Sequence, residues 1–462
     1  MPNRPTAPAA YRMHEGNVMS LNQPDFYERN IARMEELLSG HAAAGKPRKV
    51  GLELERILVD GNGDRILFSG TRGSHDDVNG VHAILRRLAA DRPELNPVLI
   101  DGELMGFSYR FDAGSERVPV AISLEPGAQV EVSAGPAERA VSLLSAIDAF
   151  DTALEQTARE LGVEARLTAR GYDATCADPA TIELIPKDRY AMMDAYLPQR
   201  GRYARDMMRC TASTQVSVDY VSEADAVRIA RRATVLGPIL SFLFDNAPVF
   251  RGEPSAGMVR SRIWREVDPE RCGIIPDSLD ADFSFRRYID WIAGVHTILF
   301  TDRHGRSESA DDRISADYLH DRELSDDELM HLISMVWPTF RFKGYVECRE
   351  MDALPPRLAV ACASIVAALL YDDHLESELP FALDAAAVDD VEAARVALEE
   401  RGWNAWVYGV PVTQVADAIV QIAQRAVRDD FDRESAQLFA DLWGSRTTPK
   451  DHGLAALEAL GR

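Results

Sequence analysis

Ile122-Ser123-Leu124-Glu125-Pro126-Gly127-Ala128-Gln129-Val130-Glu131-Val132-Ser133 alternates apolar and polar residues on both sides of a Pro-Gly break. Gly51-Leu52-Glu53-Leu54-Glu55 is a run of the same type. Residues two apart on a strand point to one face, so Glu53 and Glu55 are neighbours, as are Gln129, Glu131 and Ser133. Leu52, Leu54 and Leu58 take the other face of the first run while Ile57 and Val59 continue the acidic one, so both faces read as buried. Carboxylates crowded on buried strands need a compensating cation, and oxygen ligands without thiols or imidazoles favour Mg²⁺ or Mn²⁺. On either strand alone, solvated glutamates or a structural ion pair would leave the same pattern.

At 462 residues the chain has ample material for a large core. Its 74 acidic against 51 basic residues give a formal charge of −23, which argues against a general affinity for nucleic acid or anionic membranes. No stretch approaches the ~18 apolar residues of a spanning helix, and residues 1–23 lack the basic start and apolar centre of a signal peptide. The expectation is a cytoplasmic protein acting on small molecules, with monomer and homodimer both open. Cys176, Cys210, Cys272, Cys348 and Cys362 are scattered without C-x-x-C spacing, the pattern of reduced core thiols.

Taken in order, residues 1–22 read as a loose tail and Asp25 to Leu38 as a helix. Lys49 to Val59 reads as a strand that turns through Asp60-Gly61-Asn62-Gly63-Asp64 and returns over Arg65 to Phe68. A helix over Val78 to Leu88 follows, then strands at Val98 to Asp101, Met105 to Phe111 and Val118 to Leu124. Pro136 is expected to open a long helix to Leu161, and Lys187 and Arg189 to stand at the basic start of a short one. Met207 to Tyr220 reads as one strand with Thr211, Ser213, Gln215, Ser217 and Asp219 on its polar face. Ser222 caps a helix to Asp245. Arg260, Arg262 and Arg265 surround Trp264 in a local basic spot suited to a carboxylate. Thr339 to Arg349 reads as a last strand, with Arg341, Lys343, Tyr345, Glu347 and Arg349 on one face, a cationic face fit for a metal-bound polyphosphate. From Pro355 onward the signals are mostly helical. The division is a tail over 1–22, a catalytic domain over 23–354 and a helical part over 355–462 packed on it.

These motifs together resemble the glutamate-cysteine ligases, especially the plant-like and actinobacterial branch. Gly51 to Glu55 is similar to the family's G-x-E-x-E strand and Ile122 to Pro136 to its I-S-L-E-P-G-G-Q-x-E-x-S-G-x-P signature. Asp206-Met207-Met208 with Thr211 and Gln215-Val216 resembles the D-M-M-x-x-T-x-x-x-Q-V strand, Arg260 to Trp264 the R-S-x-I-W segment, and Tyr345 to Arg349 the Y-x-E-x-R strand. Five motifs in the family's order make the likeness specific. It implies an α+β fold with a glutamine-synthetase-like curved, mainly antiparallel catalytic sheet and helices outside. It implies ATP phosphorylating the γ-carboxylate of L-glutamate, and L-cysteine attacking the acyl phosphate to give γ-glutamylcysteine and ADP. Residue by residue, Glu53, Glu55, Glu125, Glu131, Gln215 and Glu347 would hold the metal ions, with Glu53 also catalytic. Arg349 would stabilise the transferring phosphoryl group and Lys343 assist at the nucleotide; Arg260, with Thr211 and Gln215, would bind the glutamate substrate. Ala128 departs from the signature's second glycine, Cys210 from the plant-like arginine and Arg262 from the plant-like histidine. A different acceptor amine on the same mechanism, or a silent metal- or nucleotide-binding protein on the same sheet, are the rival expectations.

Overall fold

The computed structural model describes residues 25–40, 42, 45–70, 79–100 and 102–460; the expected tail over 1–22 and the start of the Val78 helix lie outside them. Strand β1 (Val50–Asp60) is the axis of a nine-stranded sheet. The others are β2 (Asn96–Ile100), β3 (Glu103–Ala113), β4 (Glu116–Leu124), β5 (Val130–Ala137), β6 (Ala165–Thr168), β7 (Ser213–Val218), β8 (Phe340–Phe342) and β9 (Val346–Asp352). The order is β8-β9-β7-β1-β5-β4-β3-β2, and every pairing is antiparallel. Register shifts at Val50/Leu52, Val98/Leu99 and Cys348/Met351 bend and twist the strands that carry them.

Directly paired residues share a face, so the pairing sets the chemistry of each side. Leu52 lies opposite Ala134 and Val216, and Leu54 opposite Val132 and Thr214. That face is covered by the helices α1 (Ala140–Glu160), α2 (Glu223–Leu243) and a later helix at Pro356–Tyr371. Glu53 lies opposite Ser133 and Gln215, and Glu55 opposite Glu131, which gathers the polar side chains on the other face. Arg56 is the exception on the apolar side. It is buried and donates to Asp151 of α1 (Nη2 to Oδ1, 2.6 Å), tying helix to sheet.

Four expectations about elements are corrected. Arg65 to Phe68 is no returning strand: Arg65 meets Val59 in an isolated bridge, while β6 pairs the outer half of β1. The Arg65 side chain turns inward to Asp173 (2.9 Å) and to the carbonyls of Arg209 (2.7 Å) and Gly127. Pro136 does not begin the long helix, because β5 runs to Ala137, opposite Val50, and α1 starts at Ala140. Met207 to Cys210 belong to a helix, Ala204–Cys210, that precedes β7. Thr339 to Arg349 is a hairpin, β8 and β9, turned at Lys343-Gly344-Tyr345 with Gly344 at φ 84.

Beyond the sheet, α3 (Val259–Trp264) lies beside β9, and α4 (Pro356–Tyr371) and α5 (Val388–Arg401) begin the C-terminal helices. Ser222 caps α2 as expected, accepting from Asp225 N–H. One continuous apolar core runs from Ile31 through the sheet to Leu457. All five cysteines are free, four of them buried. Among the described residues no helix is long and apolar enough to cross a membrane.

Candidate active site

The polar face of the sheet floors a cleft of about 230 Å³. Glu53 and Glu55 enter from β1, Glu131 from β5 and Gln215 from β7, with Glu125 at the turn between β4 and β5. That turn is closed by Glu125 N–H to the Gln129 carbonyl (2.9 Å) and Ala128 N–H to the Glu125 carbonyl (2.8 Å). Gln129 is an internal brace: its amide donates to the carbonyls of Thr211 (2.9 Å) and Met208 (3.3 Å) and accepts from Gly127 N–H (2.9 Å). Gly127 is required there, since a Cβ would stand 2.7 Å from the Arg209 carbonyl.

The four glutamates are short of countercharge. Glu131 receives the hydroxyls of Ser123 (2.8 Å) and Ser133 (3.2 Å) on one oxygen. Glu55 receives the Gln215 amide (3.0 Å), and Lys343 stands 3.9 Å from Glu53. Burial, then neighbouring carboxylates, pushes Glu53 up to about 7, Glu125 to about 7 and Glu131 to about 8. Glu55 is also raised by burial, against the opposing pull of Arg260. Such groups charge together only when cations join them.

Glu347 stands differently. It is fully buried behind the lining and accepts from Arg341 (2.8 and 3.1 Å), Lys343 (3.0 Å) and Arg349 (2.6 Å). Burial opposes its charge, yet these three cations hold its carboxyl well below the ordinary value. Arg349 also donates to the Gln215 oxygen, so Gln215 joins an arginine on one side to Glu55 on the other. The structure thus brings Glu53, Glu55, Glu125, Glu131, Gln215, Thr211, Arg260 and Arg349 around one cleft and places Glu347 and Lys343 beside it. Among the described residues no three acid, histidine or cysteine side chains form a ready-made metal cage.

Arg260 is buried, stacks on Trp264 (5.2 Å) and donates through Nε to the Arg349 carbonyl (3.2 Å). Among the described residues no carboxylate lies within ion-pair distance of it. Thr211 spends its hydroxyl hydrogen on the Met207 carbonyl (2.7 Å) and keeps its lone pairs. Residues the sequence left as background also reach the cleft. Arg189 lines it, while Lys187 holds the Leu124 carbonyl (2.9 Å) at the edge of the Glu125 turn. Met193, Met207, Met208, Trp264 and Trp337 form its apolar wall. The spacing Lys187-x-Arg189 at a helix start was the available signal for the basic pair.

The glutamate-cysteine ligase family 2 model matches residues 49–439. The chain belongs to that family. Its relatives include a chloroplastic glutamate-cysteine ligase of Nicotiana tabacum, 27% identical over 75% of this chain and 73% of that one. Another is glutamate-cysteine ligase B of Oryza sativa subsp. japonica, 30% identical over 72% and 71%. The match to the Brassica juncea ligase is 32% identical over 57% of this chain and about half (52%) of that one. Among solved structures, a GmaS–ADP complex overlaps 90% of this ligase and 74% of its own chain at 10% identity and a TM-score of 0.32, too distant to carry an inference.

Proposed function

We propose that this ligase joins the γ-carboxylate of L-glutamate to the amine of L-cysteine at the expense of ATP, through a γ-glutamyl phosphate, releasing γ-glutamylcysteine, ADP and phosphate. The observation that carries this reading is the charge inventory of the cleft. Four half-buried glutamates have one cation within ion-pair distance among the described residues, Lys343 at 3.9 Å from Glu53, and on the other side Arg260 has no carboxylate within that distance. The first deficit fits divalent ions and the second an acidic amino acid.

Mg²⁺ or Mn²⁺ held by Glu53, Glu55, Glu125 and Glu131, with Gln215 beside them, would neutralise the acids and spread positive charge along a polyphosphate. Arg349 is proposed to meet the phosphoryl group in flight, its guanidinium fixed through Nη1, from which Glu347 and Gln215 both accept. Arg260 holds a carboxylate of glutamate, with its guanidinium carbon over the Trp264 ring at 5.2 Å from the ring centre. Phosphoryl transfer asks mainly for such positioning and charge, and no protein nucleophile is needed.

Room for the nucleoside lies along the same sheet face. Beyond Glu53 the side chains shrink to Gly51, Ser133, Gly135 and Ser217, leaving a cavity of about 140 Å³ that ends at Tyr345 and Asp219. Glu53 borders both spaces, which suits phosphates passing from one to the other. For the acceptor, the Met193, Met207 and Met208 wall suits a small thiol-bearing side chain.

Purified protein with ATP, Mg²⁺ and glutamate is expected to release phosphate only when cysteine is added, and the expected product is γ-glutamylcysteine. The same assay with other small amines tests the acceptor. Faster turnover with one of them would reassign the second substrate and leave the mechanism standing.

A further inference from the structure

Arg260 stands on a six-residue helix, too short to be stable alone. Its position is therefore imposed from outside. At its start Met258 adopts a left-handed conformation (φ 49) and donates its N–H to Asp245 Oδ2 (2.8 Å). Along its side, α5 supplies two charged residues one turn apart. Glu399 accepts the Ser261 hydroxyl (3.0 Å) on one oxygen and Arg265 on the other. Arg395 donates to Ser261 Oγ (3.2 Å) and forks Glu350 (2.9 and 3.2 Å). Glu350 follows Arg349, whose carbonyl receives Arg260 Nε. The contacts close a ring from α3 to α5 to β9 and back, and Arg260 is its member facing the cleft. Neither Glu399 nor Arg395 lines that cleft.

We propose that Glu399 and Arg395, on a helix outside the catalytic sheet, are positioning residues that aim Arg260 and thereby set the affinity for the carboxylate-bearing amino acid. The proposal rests on Arg260 being the group that grips glutamate. The physical argument is one of leverage. Arg260 is held by a stack on Trp264 of its own helix and a single hydrogen bond to β9, and α5, bonded both to Ser261 of α3 and to Glu350 of β9, fixes where that helix meets the strand. Glu399 keeps only 10% of its side chain exposed, and both its oxygens are engaged, one by Ser261 and the other by Arg265. A leucine there removes both bonds and leaves Arg265 without its acid. An ångström of drift at a binding arginine is enough to be read in kinetics.

The test uses the full chain and phosphate release with glutamate and ATP varied in turn, beside thermal unfolding. Glu399→Leu and Arg395→Met are expected to raise the KM for glutamate about tenfold while leaving the KM for ATP within about twofold. Glu399→Gln keeps the Ser261 bond and is expected to fall between them and the parent. If Arg260→Ala raises the glutamate KM but Glu399→Leu and Arg395→Met only lower the melting temperature, the two residues are structural and the proposal is overturned. Should Glu399→Leu fail to fold, an unchanged glutamate KM in both Glu399→Gln and Arg395→Met overturns it equally. If Arg260→Ala itself leaves the glutamate KM unchanged, the carboxylate assignment fails, and the proposal with it.

Discussion

Ala128 occupies the tip of the turn that presents Glu125, with φ 65, in the left-handed region. That conformation costs an L-residue about 1–2 kcal/mol, while a glycine gives back roughly 0.4–1 kcal/mol through a more disordered unfolded chain. Because the alanine methyl it removes is buried and worth about 0.8 kcal/mol, Ala128→Gly is expected to leave stability within about 0.8 kcal/mol of the parent, read as a nearly unchanged urea midpoint; a large fall would mean the turn is shaped by something other than this strain. The half-buried glutamates of the cleft make an opposite kind of demand. Glu131 is pushed from its ordinary 4.5 to about 8, by burial first and Glu125 next. Its folded-state pKa lies above the unfolded one, so the folded state holds a proton that the unfolded state has lost between those values. Stability then falls as pH rises through that window. For protein kept in chelator, Glu131→Gln is expected to raise the melting temperature at pH 8.5 and to leave it nearly unchanged at pH 4.5. Equal effects at both pH values would count against the shift. Glu347 shows where reading single residues stopped. Alternation put it on the cationic face, but its enclosure by Arg341, Lys343 and Arg349 is a tertiary fact that no spacing displays.

At the scale of elements, β1 was legible because a period of two on Glu53 and Glu55, against Leu52 and Leu54, leaves one consistent arrangement on a buried strand. The β8–β9 hairpin was read through as one strand for the same reason. Its three-residue turn returns Glu347 opposite Arg341, so the faces continue as if no turn intervened. The helix Ala204–Cys210 was missed because Met207, Met208 and Cys210 suit either period and the true alternation begins only after it. Arg56 was unremarked, since nothing local announces that its partner Asp151 comes from α1. Arg56→Met strands a mostly buried Asp151 and is expected to cost about 2–3 kcal/mol, discounted from the fully buried case because Asp151 keeps 19% of its side chain exposed. Adding Asp151→Leu should recover most of the loss in chemical denaturation. A double variant as unstable as the single would show that packing of the arginine stem, not the ion pair, joins the two elements.

Across the whole molecule, the C-terminal helices share the core of the sheet. Trp443 and Phe439 pack against Phe244 at the end of α2, and α4 lies directly on β1 and β7. The cleft is thus enclosed by parts of the chain far apart in sequence, with acids from its first third, Arg260 from its middle and Arg349 beyond it. Family likeness identified these parts, and the folded chain adds how they divide: half-buried acids with little countercharge on one side, and on the other a buried arginine with no carboxylate within ion-pair distance among the described residues. That division is the central claim, and phosphate release by the purified protein tests it most directly. With ATP and Mg²⁺ present, turnover is expected only with glutamate and cysteine together, and Arg260→Ala is expected to raise the glutamate requirement more than tenfold, about 1.4 kcal/mol or more of lost binding. Phosphate release that proceeds without glutamate, or a glutamate dependence untouched by Arg260→Ala, would contradict it.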